Sequence, residues 1–135
     1  MSWSSDTLRL FLHVLAAAIW VGGQFVVGGA VPSLRRSHPD AVAVLARTFG
    51  RVAWPAYAVL VVTGMWSLGS VDLGATDTGY QVALFAKVLL AVASGAAAAV
   101  HQTATRRLGR AVGGAVASLS AVAALLVAVG LDAGL

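Results

Sequence analysis

Four long apolar runs constrain the fold of this chain more than any other feature of its sequence. They cover residues 10–31, 52–68, 82–100 and 111–131. A helix needs about 20 mostly apolar residues to cross roughly 30 Å of hydrocarbon, and each run is close to that length. Charged residues make up only 10% of the chain, whereas water-soluble domains contain roughly 25%. The sequence therefore predicts an integral membrane protein.

The spacing of the runs predicts an all-α fold, an antiparallel bundle of four transmembrane helices. We expect helices at about residues 8–31, 41–68, 80–103 and 110–131, within a single domain covering residues 1–135. The alternative for the first run is a secretory signal peptide. Such peptides have an apolar core of about 7–15 residues, and the longer run here, preceded by Asp6, favours a membrane span.

The distribution of charge predicts how the bundle is oriented. Most basic residues lie in two of the links between runs: Arg35, Arg36, Arg47, Arg51, Arg106, Arg107 and Arg110. Arginine-rich links stay in the cytoplasm, so both termini should be extracytoplasmic in a multi-pass protein of a bacterial-type inner membrane. The net charge of +4 then reflects topology, and we expect the lipid bilayer, not nucleic acid, as the partner.

The chain contains no cysteine, and this excludes several functions. Disulfide exchange, thiolate copper transfer and iron–sulfur clusters all require thiols. Any redox or metal chemistry must therefore use other side chains.

Two ionisable side chains lie inside the predicted spans, His13 in the first and Lys87 in the third. Counting 1.5 Å per residue from the outer ends places both in the outer half of the bilayer. A lysine in hydrocarbon usually faces the bundle interior and has a function, although its long stem also lets it extend to the surface. An imidazole there is a bridge between helices, a haem or metal ligand, or a proton relay.

Other residues complete a predicted pocket at this level. Thr63 and Gly64 of the second span reach the depth of His13, where threonine offers a hydroxyl and glycine leaves room for a flat group. Trp20 lies on the same helical face as His13, seven residues later. We expect these residues and Lys87 to form one outer-leaflet site.

His101 is excluded from that site by its depth. It follows Lys87 by 14 residues, which is roughly 21 Å of helix, whereas metal–ligand bonds are only about 2 Å long. His13 and His101 therefore cannot bind one metal in a straight bundle. If both bound haem, there would be two haems, one in each leaflet; we expect His101 instead to be an interfacial residue near Arg106.

A set of short motifs occurs in a characteristic order along the first three helices. The motifs are His13 with Trp20 and Gly22-Gly23, Arg51 before Pro55-Ala56, Gly64-Met65-Trp66 closing the second helix, and Lys87 in the third. Together they resemble the four-helix unit shared by the CopD copper-resistance domain and the HemJ-type protoporphyrinogen IX oxidases. The resemblance extends from about Leu10 to His101.

This resemblance implies a haem-b-binding membrane redox protein, either an oxidase or an electron carrier, with haem or a porphyrin-like molecule as its small-molecule partner. His13 and Lys87 would be the functional pair. His13 would be the axial metal ligand, Trp20, Thr63 and Gly64 would surround the cofactor, and Lys87 would pair with a propionate or an anionic substrate.

Two other functions remain compatible with the sequence. CopD domains are associated with copper uptake, for which His13 would be a transient ligand; Met1 and Met65 are the only soft sulfur ligands in the chain. The second is a non-catalytic membrane module that assists a partner. Small-residue stripes such as residues 109–113 would also permit tight helix pairing in a homo-oligomer.

Overall fold

The structure, a computed structural model, describes residues 4–134. Its elements are α1 (Ser5–Ser37), α2 (Pro39–Gly69), a short 3-10 helix (Leu73–Ala75), α3 (Thr78–Thr103) and α4 (Arg107–Ala133). No strand occurs within this part of the chain. Each of the four α-helices is long and apolar enough to cross a membrane. The predicted all-α class with four candidate membrane spans is thus confirmed.

Polar caps determine where two of the helices begin. The Ser4 side chain accepts a hydrogen bond from the Thr7 backbone N–H at 3.1 Å, and Asp77 does the same for Tyr80 at 2.9 Å. Such caps satisfy backbone donors that the first helical turn leaves unpaired. Consequently α1 and α3 start two or three residues before the positions expected from hydropathy.

The end of α1 lies well beyond its apolar run. The helix continues through Pro32 to Ser37, whereas we expected it to end at about residue 31. Its last turn holds Arg35 and Arg36, cations that interact favourably with the negative end of the helix dipole. The His38 backbone N–H then donates to the Leu34 carbonyl at 2.7 Å, and α2 follows at once with Pro39 in its first turn.

The chain forms two compact units, with the boundary between Val71 and Asp72. In the first unit α1 packs against α2. Its interior is narrow, because most of the fully buried apolar positions there are alanines: Ala16, Ala53 and Ala56. Large apolar side chains face outward instead, Val26 with 71% of its surface exposed. An outward apolar surface is what a lipid environment requires.

In the second unit α3 packs against α4 through small residues. The buried positions of α4 are four residues apart: Gly113, Ala117 and Ala121. The Ser94 hydroxyl of α3 donates to the Ala117 carbonyl at 2.8 Å. This spacing places the small residues in one stripe and lets the two backbones approach closely.

Candidate functional site

The predicted pocket residues His13 and Thr63 are in direct contact in the first unit. His13 Nδ1 lies 2.8 Å from Thr63 Oγ1. The Thr63 hydroxyl donates its hydrogen to the Val59 carbonyl at 2.6 Å. Because a hydroxyl has one hydrogen to donate, Oγ1 acts as the acceptor toward His13, and Nδ1 carries a proton. In the neutral imidazole the lone pair is therefore on Nε2.

Gly64 lies beside the same imidazole ring. A Cβ placed on Gly64 would be 3.4 Å from His13 Cε1, which is ordinary van der Waals contact. The space left by the missing side chain is thus bordered by the imidazole of His13. Thr63 is 4% exposed, so its bond to His13 is shielded from solvent.

A second polar contact, one turn away, was not foreseen from the sequence. Arg9 Nη1 donates to Ser67 Oγ, and Arg9 Nη2 forms an ion pair with Asp6 at 3.3 Å. The Ser67 hydroxyl in turn donates to the Thr63 carbonyl at 3.0 Å. These hydrogen bonds therefore connect Arg9 to the turn of α2 that contains Thr63, the partner of His13.

The spacing of these residues was the signal that would have revealed the second contact. Arg9 and His13 are four residues apart on α1, and Thr63 and Ser67 are four apart on α2. Residues four apart share one helical face. Two matching polar pairs on facing helices therefore predict two neighbouring contacts, one between Arg9 and Ser67 and one between His13 and Thr63.

Trp20, predicted to contact a cofactor, packs in an aromatic cluster. Its ring centroid lies 4.5 Å from that of Tyr57 and 5.5 Å from that of Trp54, and only 3% of its surface is exposed. Seven residues of helix separate it from His13, about 10 Å along the axis. Trp20 therefore contributes packing between α1 and α2, and its role toward a cofactor stays a prediction.

An apolar groove of about 130 Å³ lies on the same helix pair, between the levels of His13 and Trp20. It is lined by Leu12, Leu15, Ala16, Ile19, Ala56 and Val59. Small-molecule sites usually measure about 300–1,000 Å³. The groove thus matches an acyl chain or the edge of a ring rather than a whole macrocycle.

Lys87 and His101 lie in the second unit. Lys87 is half-buried on α3, and the carboxylate of Asp132 on α4 acts on it electrostatically. His101 is exposed, and its Nδ1 donates to the Arg110 carbonyl at 2.6 Å. His13 belongs to the other unit, so the functional pairing of His13 with Lys87 stays a prediction.

Comparison with protein-family models, curated proteins and solved structures finds no match to this chain. The resemblance to the CopD and HemJ-type group accordingly rests on the sequence motifs alone.

The acid, histidine and cysteine side chains of residues 4–134 form no group of three or more that could hold a metal ion. What the site offers is a single imidazole of defined tautomer. A protein-built metal centre usually needs three or four such ligands. A haem needs only one or two, because its porphyrin supplies the equatorial nitrogens. In number of ligands, a single imidazole is compatible with haem and too few for an isolated metal ion, although the groove of about 130 Å³ on this helix pair does not hold a whole macrocycle.

Proposed function

We propose that this chain is a haem-b-binding redox protein of a bacterial-type inner membrane, acting as an electron carrier or oxidase. In this proposal the four helices form an antiparallel bundle with both termini outside the cytoplasm. His13 would hold the haem iron through its imidazole, and the site would lie in the outer half of the bilayer.

The single observation that carries the proposal is the hydrogen bond between His13 Nδ1 and Thr63 Oγ1, 2.8 Å long. Histidines that bind metals almost always donate their other ring N–H to a neighbouring acceptor, which selects the tautomer and orients the ring. Thr63 is such an acceptor because its own hydrogen is given to the Val59 carbonyl. This bond would orient the ring in a haem complex.

The protein side chains have distinct parts in this function. Thr63 would hold the imidazole in one tautomer, and the missing side chain of Gly64 leaves space beside the ring. A b-type haem bound there supplies one-electron transfer, with a potential that depends on axial ligation and polarity. The buried Thr63, 4% exposed, shields its side of the bond to the imidazole. Lys87 is proposed to compensate an anionic group of the cofactor or substrate.

The proposal is tested by the absorption spectrum of the protein purified from haem-replete cells. We expect a Soret band in the wild type and its loss in His13→Ala. Thr63→Val, which keeps the shape but removes the acceptor, should lower haem affinity by about 10–100-fold, the usual effect of losing such a partner. His38→Ala is the matched control, because His38 is exposed and makes no side-chain cap bond. A wild type without a Soret band, or an unchanged band in His13→Ala, would refute the proposal.

A second candidate function is a non-catalytic membrane module, and the same hydrogen bond favours it, since it also joins α1 to α2. Interhelical bonds of this kind contribute about 0.6 kcal/mol on average within membranes. This alternative predicts that His13→Ala loses stability without any change in bound cofactor. Copper transport, the remaining alternative, predicts copper uptake that depends on His13 and Met65.

A further inference from the structure

We propose that the apolar groove between α1 and α2 binds one acyl chain of an anionic phospholipid, and that Arg51, with Arg47 beside it, binds the phosphate of the headgroup. The inference goes beyond the proposed function and does not depend on it, because it involves neither His13 nor Lys87.

The first observation is the chemistry of the groove. Its floor is made of small buried residues, Ala16 and Ala56, whereas Leu15 and Val59 at its edge are exposed. The groove is therefore closed below and open at the side. Every side chain that lines it is a hydrocarbon, so a polar group placed there would lose hydrogen bonds without replacing them. The occupant must be apolar where it enters the groove.

The second observation is a pair of cations without partners at the edge of the apolar run. Arg51 immediately precedes residues 52–68, and Arg47 lies one helical turn before it. Both side chains are exposed, and neither forms a hydrogen bond or an ion pair within residues 4–134. Asp40, the only acid of α2, is 11 residues from Arg51, roughly 16 Å along the helix.

The third observation is that one row of residues connects the cation to the groove. Arg51, Pro55 and Val59 are four residues apart on α2, and residues with this spacing are neighbours along one ridge of a helix. Val59 lines the groove. The row is about 12 Å long, which is less than the half-thickness of the hydrocarbon, about 15 Å. A lipid whose headgroup lies at Arg51 therefore has its acyl chains at the depth of the groove.

A phospholipid satisfies both parts of this surface at once. Arginines near the ends of membrane spans extend toward the phosphate level, and the guanidinium fork matches a phosphate group. The side chain of a second protein helix is the other occupant of suitable size. Such a helix would fill the groove but would place apolar surface against Arg51 unless it also carried an acid. In the proposed topology Arg51 is cytoplasmic, and anionic lipids give the cytoplasmic leaflet its negative surface potential.

The test is native mass spectrometry of the full chain released from detergent micelles. The protein is titrated with phosphatidylglycerol, which is anionic, or with phosphatidylcholine of the same acyl chains, which has no net charge. We expect the wild type to bind one phosphatidylglycerol at least roughly fivefold more tightly than phosphatidylcholine. That factor is equivalent to about 1 kcal/mol, the usual contribution of one arginine near an anionic surface.

Two arginine variants test the headgroup site. Arg51→Gln should lower the affinity for phosphatidylglycerol by about fivefold and so reduce the preference for that lipid. Arg51→Lys keeps the charge without the fork and should show an intermediate preference, and it replaces Arg51→Gln if that variant does not fold. Arg107→Gln is the matched control, because it removes an exposed arginine of α4 and should keep the full preference.

Two aromatic variants test the groove. Val59→Phe places a ring at the edge of the groove and should lower the affinity for both lipids, since it obstructs the acyl chain and not the headgroup. Leu15→Phe does the same from α1 and is the second variant if Val59→Phe does not fold. Val62→Phe is the control, because Val62 is an exposed residue of α2 that does not line the groove.

The position of the chain is measured with phosphatidylglycerol that carries a photoactivatable diazirine in one acyl chain. After irradiation we expect adducts concentrated on residues 12–19 and 56–59, and their loss in Val59→Phe. Adducts spread evenly over the four helices would refute the groove as the binding site.

The remaining outcomes also decide the question. Equal affinity of the wild type for the two lipids, or an unchanged preference in both Arg51 variants, would refute the headgroup site. A lipid-free dimer that Val59→Phe abolishes would place a second copy of the chain in the groove and overturn the inference. No step uses haem, so a failure of the proposed function leaves these results unaffected.

Discussion

Substituting Gly113 with alanine should separate α3 from α4. A Cβ at Gly113 would lie 2.8 Å from the His101 backbone nitrogen and 2.9 Å from the Ala97 carbonyl oxygen. Both atoms belong to the backbone of α3, so neither can turn aside as a side chain would. Carbon contacts are optimal at about 3.5–4.0 Å. The helices must therefore move apart by roughly 0.5 Å or more along this stripe.

The expected loss of stability follows from two costs and one gain. Overpacking of an interior typically costs about 1–3 kcal/mol. Replacing glycine by alanine within a helix gains about 0.8–1.0 kcal/mol. Movement of α4 also stretches the bond from Ser94 to the Ala117 carbonyl, now 2.8 Å. We therefore expect Gly113→Ala to lower the free energy of unfolding by about 1–2 kcal/mol, within the range of the overpacking term.

The assay is unfolding by sodium dodecyl sulfate in mixed micelles, followed by helical circular dichroism. Gly130→Ala is the matched control on the same helix, because a Cβ there meets nothing within 4 Å. That variant should gain up to about 1 kcal/mol from helix propensity alone. If Gly113→Ala proves as stable as Gly130→Ala, the close backbone approach between α3 and α4 is refuted.

Two other substitutions test the packing of each unit by the same titration. Ser94→Ala removes the buried hydrogen bond to the Ala117 carbonyl. It should lower the free energy of unfolding by about 0.6 kcal/mol, the average for such bonds between membrane helices, and by no more than about 1.7 kcal/mol. A gain in stability would contradict the bond. Trp20→Leu removes the ring contacts with Trp54 and Tyr57, each worth about 0.5–1.5 kcal/mol, so the free energy of unfolding should fall by roughly 1–3 kcal/mol. The near-ultraviolet circular dichroism signal should also weaken. An unchanged signal would contradict the aromatic cluster.

Much of the fold is predictable because it depends on hydropathy, which is averaged over the many residues of each span. About 20 apolar residues in succession need a helix to satisfy their backbone groups in lipid, so the four spans follow from composition. Helix ends depend on single residues instead. Ser4 and Asp77 start helices through one hydrogen bond each, and α1 continues through Pro32 although proline normally disfavours a helix interior.

Of the site, the contact between His13 and Thr63 was predictable, because depth in the bilayer alone places these two residues at one level. Counting turns from the ends of the spans puts Thr63 at the level of His13, and the structure shows the two side chains bonded. The direction of a long side chain does not follow from depth. Arg9 turns toward Ser67 instead of extending to the surface, and sequence periodicity does not report that choice.

The link between α1 and α2 has a consequence for the order in which they associate. Ser37 ends one helix and Pro39 begins the next, so His38 alone separates them. The contact of Gly23 with Phe49 closes a shorter loop than the bond of His13 with Thr63, and each contact that forms shortens the loop that the next must close. We therefore expect α1 and α2 to pair from the joint outward. His13 and Thr63 lie near the far end of this helix pair, where local opening breaks the fewest contacts, so their bond can open while the joint stays intact.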